Sequence, residues 1–90
     1  MNFEIEFSEE FLKDIKKHQK AGNKILLKKI NSFLTVIREN PTEGLGKPEQ
    51  LKYFEATIWS RRINEKHRLV YEIKENVVEI LSGWGHYDDK

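Results

Sequence analysis

The sequence has no cysteine among its 90 residues. Disulfide bonds and thiolate metal sites are therefore excluded, and a reducing compartment is favoured, so we expect a cytoplasmic protein. No apolar run approaches the roughly 20 residues that a membrane-spanning helix needs. The acidic N-terminal segment lacks the apolar core of a signal peptide, so we predict neither a membrane segment nor a secretion signal. Convincing metal-ligand spacing and a glycine-rich phosphate loop are missing too, so we predict no metal and no cofactor.

A large charge of one sign is also absent, because the net charge is only +1. The distribution of the lysines is more informative, since several fall in one short stretch at nearly helical spacing. The residues that follow this spacing, the lysine stripe, are Lys13, Lys17, Lys20, Lys24 and Lys28, and Lys16 and Lys29 lie in the same stretch. Such a stripe is typical of a nucleic-acid-binding surface, but a solvated helix face accounts for it more simply.

The composition is that of a soluble globular protein, with 38% apolar and 34% charged residues. Ninety residues fit one domain, which we predict to span residues 1–90. A domain of this size has only a modest hydrophobic core. An active site is therefore expected on the surface or in a shallow groove.

Hydrophobic periodicity predicts a strand followed by two helices. Residues 3–7 alternate large apolar side chains with glutamates, as in a half-buried strand. Ser8 suits the N-cap of a first helix, Gly22 suits its end, and Asn23 suits the N-cap of a second helix. The apolar face of the second helix consists of Leu26, Ile30, Phe33, Leu34 and Ile37. Pro41 follows and ends that helix.

The second half of the chain predicts a loop and then strands. Residues 41–50 are rich in glycine and proline and show no periodicity. Three strand-like runs follow, over Thr57–Ile63, Arg68–Lys74 and Val77–Trp84. Short polar segments between them suit hairpin turns. We therefore predict an α+β fold of order β-α-α-β-β-β, with the two helices packed on one face of a small, mostly antiparallel sheet.

Alternation of side chains along the predicted strands brings two arginines together. If residues 64–66 form the turn, Arg62 lies directly across from Arg68 on the face opposite the helices. Facing arginines repel each other unless an anion lies between them. Paired guanidinium groups suit phosphate oxygens. The alternative, that each arginine bridges a nearby glutamate, is equally compatible with the spacing.

Two further residues could supply acid–base chemistry. His86 follows the last strand, where it could act as a proton donor beside the arginines, although a histidine near a chain end is more often incidental. Glu49 is a candidate partner because its loop must return to the sheet edge. His18 and His67 are interpreted as structural or solvated. A carboxylate, a histidine and two arginines would suffice for metal-free RNA cleavage, in which a ribose 2′-hydroxyl attacks the adjacent phosphate.

Three runs of residues resemble one known family. They are Gly46–Lys52, Trp59–Tyr71 and the pair His86-Tyr87. In order and spacing they are similar to the Txe/YoeB branch of the RelE superfamily, the toxins of bacterial toxin–antitoxin pairs. The middle run is long and highly specific, and with the helical hairpin the resemblance covers essentially the whole chain.

The resemblance implies a microbial-ribonuclease-like fold and a toxin that cuts mRNA in the ribosomal A site. It also implies a cognate antitoxin that masks the site, operator DNA binding only through that antitoxin, and a homodimer. The lysine stripe would then contact ribosomal RNA phosphates.

Carried over position by position, the resemblance assigns catalytic roles to three residues. Glu49 matches the general base, His86 the general acid, and Arg68 the group that stabilises the phosphorane charge. The residues that would bind substrate are Lys47, Lys52, Arg62 and Tyr87.

The sequence also departs from the family pattern. Residues 88–90, Asp-Asp-Lys, follow the His-Tyr pair, which lies at or near the chain end in close relatives. Relatives often carry a basic residue where this chain has Gly83-Trp84-Gly85, and Trp84 would either stack on a base or be buried at the strand end.

Three hypotheses follow for the activity. The first is a ribosome-dependent endoribonuclease, which the combination of Glu49, Arg68 and His86 favours. The second is a non-catalytic protein of the same fold that binds an antitoxin or RNA. The third is a ribosome-independent ribonuclease, which the small number of cations at the site disfavours.

Overall fold

The computed structural model describes residues 2–51 and 57–85. The chain order is β1 (Glu4–Phe7), α1 (Glu9–Lys20), α2 (Lys24–Glu39), β2 (Glu49–Gln50), β3 (Ile58–Arg62), β4 (Arg68–Lys74) and β5 (Val77–Ser82). The sheet order is β1-β5-β4-β3-β2. Strand β1 pairs in parallel with β5, and the other neighbours are antiparallel. The predicted α+β fold, with two helices against a mostly antiparallel sheet, is confirmed, and β2 is an additional short strand inside the predicted loop.

The helical hairpin begins and ends close to the predicted residues. The Oγ of Ser8 accepts a hydrogen bond from the backbone N of Phe11 at 3.0 Å, as expected of an N-cap. Gly22 follows the first helix at a φ of +73°. Asn23 precedes α2, but its side chain caps no backbone group of that helix. It instead donates to Nδ1 of His18 at 3.1 Å.

The hydrophobic core lies between the helices and one face of the sheet. Its members are Phe11, Leu26, Ile30, Phe33, Ile37, Ile63, Leu69, Tyr71, Val78 and Ile80. The predicted apolar face of α2 is confirmed, with Leu34 partly buried at its border. Alternation put Phe7 on the apolar side of the first strand, but its side chain is 46% exposed at the end of the edge strand and stacks on Phe11. Within the described ranges, the helices are too short or too polar to cross a membrane.

Candidate active site

Arg62 and Arg68 face each other across strands β3 and β4. The strand register makes them direct partners, as the alternation of side chains predicted. The next residues along the chain, Ile63 and Leu69, are buried in the core beneath the helices. Because successive side chains of a strand point to opposite faces, the two arginines belong to the face that the helices leave uncovered.

Two side chains hold the guanidinium of Arg68. Its Nη2 donates to Oε1 of Glu49 at 3.2 Å, and its Nε donates to Oγ of Ser60 at 3.2 Å. Glu49 and Ser60 are themselves partners across β2 and β3. The Arg68 side chain is only 15% exposed, whereas that of Glu49 is 66% exposed. A shielded cation therefore lies next to a carboxylate that solvent or a ligand can reach.

The alternative interpretation of the arginines, that each bridges a glutamate, holds for one of them. Arg68 pairs with Glu49, the residue that the family resemblance matched to the general base. Arg62 is exposed and forms no ion pair with a residue of ranges 2–51 and 57–85. Ser60 was not among the predicted site residues, although its shared parity with Arg62 along β3 was the available signal.

Lys47 lies at the rim of the same region. Its backbone has a φ of +52°, which is uncommon for a residue other than glycine. The preceding carbonyl, of Gly46, accepts from the backbone N of Arg62 at 2.8 Å, which attaches this loop to the end of β3. An open groove here has apolar and basic lining that includes Lys29, Phe33, Leu45, Lys47 and Arg62. Two of the predicted substrate-binding residues thus border one groove.

Arg61 anchors this loop from inside the protein, and sequence reasoning missed it. The residue is fully buried, although it directly precedes the exposed Arg62 on β3. Its guanidinium donates at 2.7–2.8 Å to three backbone carbonyls of the loop, those of Asn40, Glu43 and Leu45. Its Nε donates to the hydroxyl of Tyr71 at 2.9 Å. The loop that carries Lys47 and leads to Glu49 is therefore fixed to β3 by a buried cation.

Tyr71 completes this anchor. Its hydroxyl donates to the carbonyl of Pro41 at 2.6 Å while accepting from Arg61. Burial raises the pKa of Tyr71 above its usual value, and the hydrogen bond and positive charge of Arg61 offset part of that rise. The hydroxyl is therefore protonated at neutral pH and can act as the donor to Pro41.

The described chain ends beside Arg68. The carbonyl of Gly85 accepts from the backbone N of Arg68 at 3.0 Å. The other three predicted site residues, Lys52, His86 and Tyr87, lie outside the described residues, as do residues 88–90. The structure thus brings Glu49, Arg62 and Arg68 together on one face.

The lysine stripe is solvent-exposed along both helices, as predicted. Lys17 places its Nζ 5.3 Å from the centroid of the Trp84 ring. Trp84 is 42% exposed and follows the end of β5. The alternative that Trp84 is buried at the strand end is therefore wrong. The side chain is exposed, and β5 ends at Ser82, two residues before it.

Comparison with known proteins identifies the family. The model of the YoeB-like toxin of bacterial type II toxin–antitoxin systems matches residues 7–87. The chain belongs to the YoeB-like toxin family. One curated relative, Toxin YoeB of Synechocystis sp., is 47% identical over 66 residues, which cover 73% of this chain and 77% of that protein.

Solved YoeB structures share the fold at high coverage. The YoeB dimer of Staphylococcus aureus is 42% identical with a TM-score of 0.84, over 97% of this chain and all of that chain. The heterotetrameric YoeB–YefM toxin–antitoxin complex of the same organism gives 42% identity and a TM-score of 0.80, over the same shares of the two chains. The resemblance drawn from the sequence motifs is thereby confirmed.

Proposed function

We propose that this YoeB-like toxin is a ribosome-dependent endoribonuclease that cuts mRNA in the ribosomal A site and so inhibits translation. The observation that supports it best is the contact between Arg68 and Glu49 on the sheet face opposite the helices. A cation and an accessible carboxylate at 3.2 Å suit a reaction in which a proton is removed while negative charge develops on a phosphate.

In the proposed reaction, Glu49 accepts the proton of a ribose 2′-hydroxyl. The 2′-oxygen then attacks the adjacent phosphorus, and the bond to the 5′-oxygen of the next nucleotide breaks. His86 gives the leaving 5′-oxygen its proton, so the products are a 2′,3′-cyclic phosphate and a 5′-hydroxyl. The exposure of Glu49 supports its part, since a base must come within hydrogen-bond reach of the substrate.

Arg68 retains the N–H groups of Nη1 as donors for the phosphate in this scheme. Its Nε and Nη2 are held by Ser60 and Glu49, whereas Nη1 forms no hydrogen bond to another residue of the described ranges. A guanidinium that is oriented in advance stabilises the phosphorane charge without reorganising during the reaction. Arg62 and Lys47, at the adjacent groove, would bind neighbouring phosphates together with Lys52, and Tyr87 would contact the substrate.

The small number of cations described on this face supports dependence on the ribosome. Lys47, Arg62 and Arg68 are the described cations next to Glu49 that the family pattern assigns to RNA, and three contacts hold free RNA weakly at physiological salt. Binding to the ribosome would supply the missing orientation. The exposed lysine stripe is a suitable surface for ribosomal RNA phosphates.

The solved relatives support the proposed partners. Staphylococcus aureus YoeB occurs as a dimer and in complex with the antitoxin YefM. We propose that this chain likewise forms a homodimer, binds a cognate antitoxin in the cytoplasm, and reaches operator DNA only through that antitoxin.

A reconstituted translation reaction with a defined mRNA tests the proposal by primer extension. We expect the wild type to cut within translated codons only, and Arg68→Ala and Glu49→Gln to cut on the order of 10²- to 10³-fold more slowly. Lys74→Ala is the matched control, because it removes the exposed Lys74–Glu79 ion pair outside the site and should leave cleavage unchanged.

Two outcomes would contradict the proposal. Rapid cutting of the same RNA without ribosomes would indicate a ribosome-independent ribonuclease. An intact mRNA with wild-type protein that still binds an antitoxin or RNA would indicate the alternative, a non-catalytic protein of the same fold.

A further inference from the structure

Buried side chains from two separate elements hold the backbone immediately after β5. The backbone N of Gly83 donates to Oδ2 of Asp14 at 3.0 Å, and its carbonyl lies 2.9 Å from Nε2 of His18. Two residues later, the backbone N of Gly85 donates to Nδ1 of His67 at 2.9 Å. Asp14, His18 and His67 are 3%, 0% and 8% exposed. Polar groups buried to this degree fix geometry, because breaking any of these bonds leaves a desolvated partner.

The hydrogen bonds determine which ring nitrogen carries the proton. A carbonyl only accepts, so Nε2 of His18 is the donor to Gly83, and its Nδ1 accepts from the amide of Asn23. The backbone N–H of Gly85 only donates, so Nδ1 of His67 must be unprotonated. His67 is therefore a neutral ring with its proton on Nε2, because an imidazolium would have no acceptor for Gly85.

Aromatic packing fixes the orientation of the His67 ring. The His18 ring meets it edge-on with centroids 4.8 Å apart. The Trp84 ring lies 4.8 Å from His67 and 4.7 Å from His18. The three rings thus form one cluster, in which Nδ1 of His67 is aimed at Gly85.

Gly85 is held from both sides by consecutive residues of the chain. The His67 side chain binds its N–H, and the backbone N of Arg68 binds its carbonyl. Gly85 has a φ of +82°, which glycine adopts readily. The guanidinium of that same Arg68 contacts Glu49. His67 and Arg68 therefore fix both backbone groups of Gly85 beside the arginine that contacts the proposed base.

We infer that His67 is a positioning residue of the cleavage site, whose neutral ring holds Gly85 against the backbone of Arg68, the residue that contacts Glu49. The inference rests on the proposed function. It gives a specific task to a histidine that sequence patterns interpreted only as structural or solvated.

Two substitutions of His67 distinguish a role in positioning Gly85 from a role in packing between His18 and Trp84. His67→Phe keeps a ring between His18 and Trp84 but removes the acceptor for Gly85. His67→Asn loses the ring but keeps an acceptor oxygen near the position of Nδ1. We expect single-turnover cleavage on mRNA-programmed ribosomes to fall about 10- to 10²-fold for His67→Phe, the cost of a small misplacement, and to recover largely in His67→Asn.

Affinity for the ribosome, measured separately, should be unchanged in both variants, since His67 contacts no substrate in this account. Cleavage by His67→Phe at the wild-type rate, or equal losses in both folded variants, would overturn the inference. If His67→Phe fails to fold, His67→Gln replaces it, because its amide lies at the Nε2 position and cannot serve Gly85 in the same way.

Nitrogen NMR of the wild type gives a test that does not need activity. We expect His67 to show a protonated Nε2 and an unprotonated Nδ1 at neutral pH, with the Gly85 amide proton protected from exchange. A protonated Nδ1 would overturn the inference even if cleavage occurs. A wild type with the expected spectrum that leaves mRNA intact would instead refute the proposed function, and the positioning role with it.

Discussion

Replacing Arg61 by methionine should destabilise the protein strongly, whereas the same change at Arg62 should not. The two residues are adjacent on β3, but Arg61 is fully buried and Arg62 is exposed. Arg61→Met removes hydrogen bonds from a charged donor to three loop carbonyls and to the Tyr71 hydroxyl. Methionine fills a similar volume, so the comparison reports mainly on these bonds.

The expected loss of unfolding free energy in Arg61→Met is the balance of two opposing effects. A hydrogen bond to a charged group contributes about 1.5–3 kcal/mol, so four of them would suggest a loss on the order of 6–12 kcal/mol. Arg61 has no ion-pair partner within residues 2–51 and 57–85, so removing its charge also removes a desolvation cost of several kcal/mol. The loop residues that supply the carbonyls are largely exposed and can be rehydrated. We therefore expect a net loss of about 2–4 kcal/mol, at the upper end of ordinary single substitutions.

Urea unfolding of the two variants measures the difference. Arg61→Met should lower the midpoint with an unchanged m-value, and Arg62→Met should stay within about 0.5 kcal/mol of wild type. A loss below about 0.5 kcal/mol for Arg61→Met would refute this reasoning, because the buried guanidinium would then contribute nothing beyond its volume. Equal losses at both positions would refute the assignment of the two side chains to opposite faces.

Two further predictions concern the same loop. Gly46→Ala should lower the free energy of unfolding in urea by about 1–3 kcal/mol more than the control Gly22→Ala. Both glycines have a positive φ, but only at Gly46 would a Cβ lie 2.7 Å from Phe33. Equal losses in the two variants would contradict this prediction. Stability should fall as pH rises above about 10, because the raised pKa of Tyr71 lets the unfolded chain ionise first. Tyr71→Phe should weaken that fall above about pH 10, and an unchanged slope would count against it.

The sequence predicted the elements that have strong periodicity. The apolar face of α2 and the alternation in Arg68–Lys74 are set by burial against one core, so the pattern is visible locally. Strand β2 could not be predicted, because two residues carry no period. It exists through pairing with β3, in which Glu49 lies opposite Ser60.

The candidate site was predictable where strand alternation determined it. Alternation placed Arg62 opposite Arg68, and the family resemblance added Glu49. Arg61 was not predicted, because its partners are backbone carbonyls of a distant loop that no local pattern indicates. The proposed positioning role of His67 could not be predicted for the same reason. Its partner is the backbone N–H of Gly85, which leaves no pattern in the sequence.

The measurement that tests the central claim most directly uses ribosomes programmed with two versions of one mRNA. One version is all-ribose, and the other carries a single 2′-deoxynucleotide at the position whose 2′-hydroxyl would attack. We predict that the toxin cuts the all-ribose mRNA within the A-site codon and leaves that linkage of the deoxy version intact. An uncut all-ribose mRNA would contradict the proposed activity, and a cut at the deoxy linkage would contradict attack by the 2′-hydroxyl.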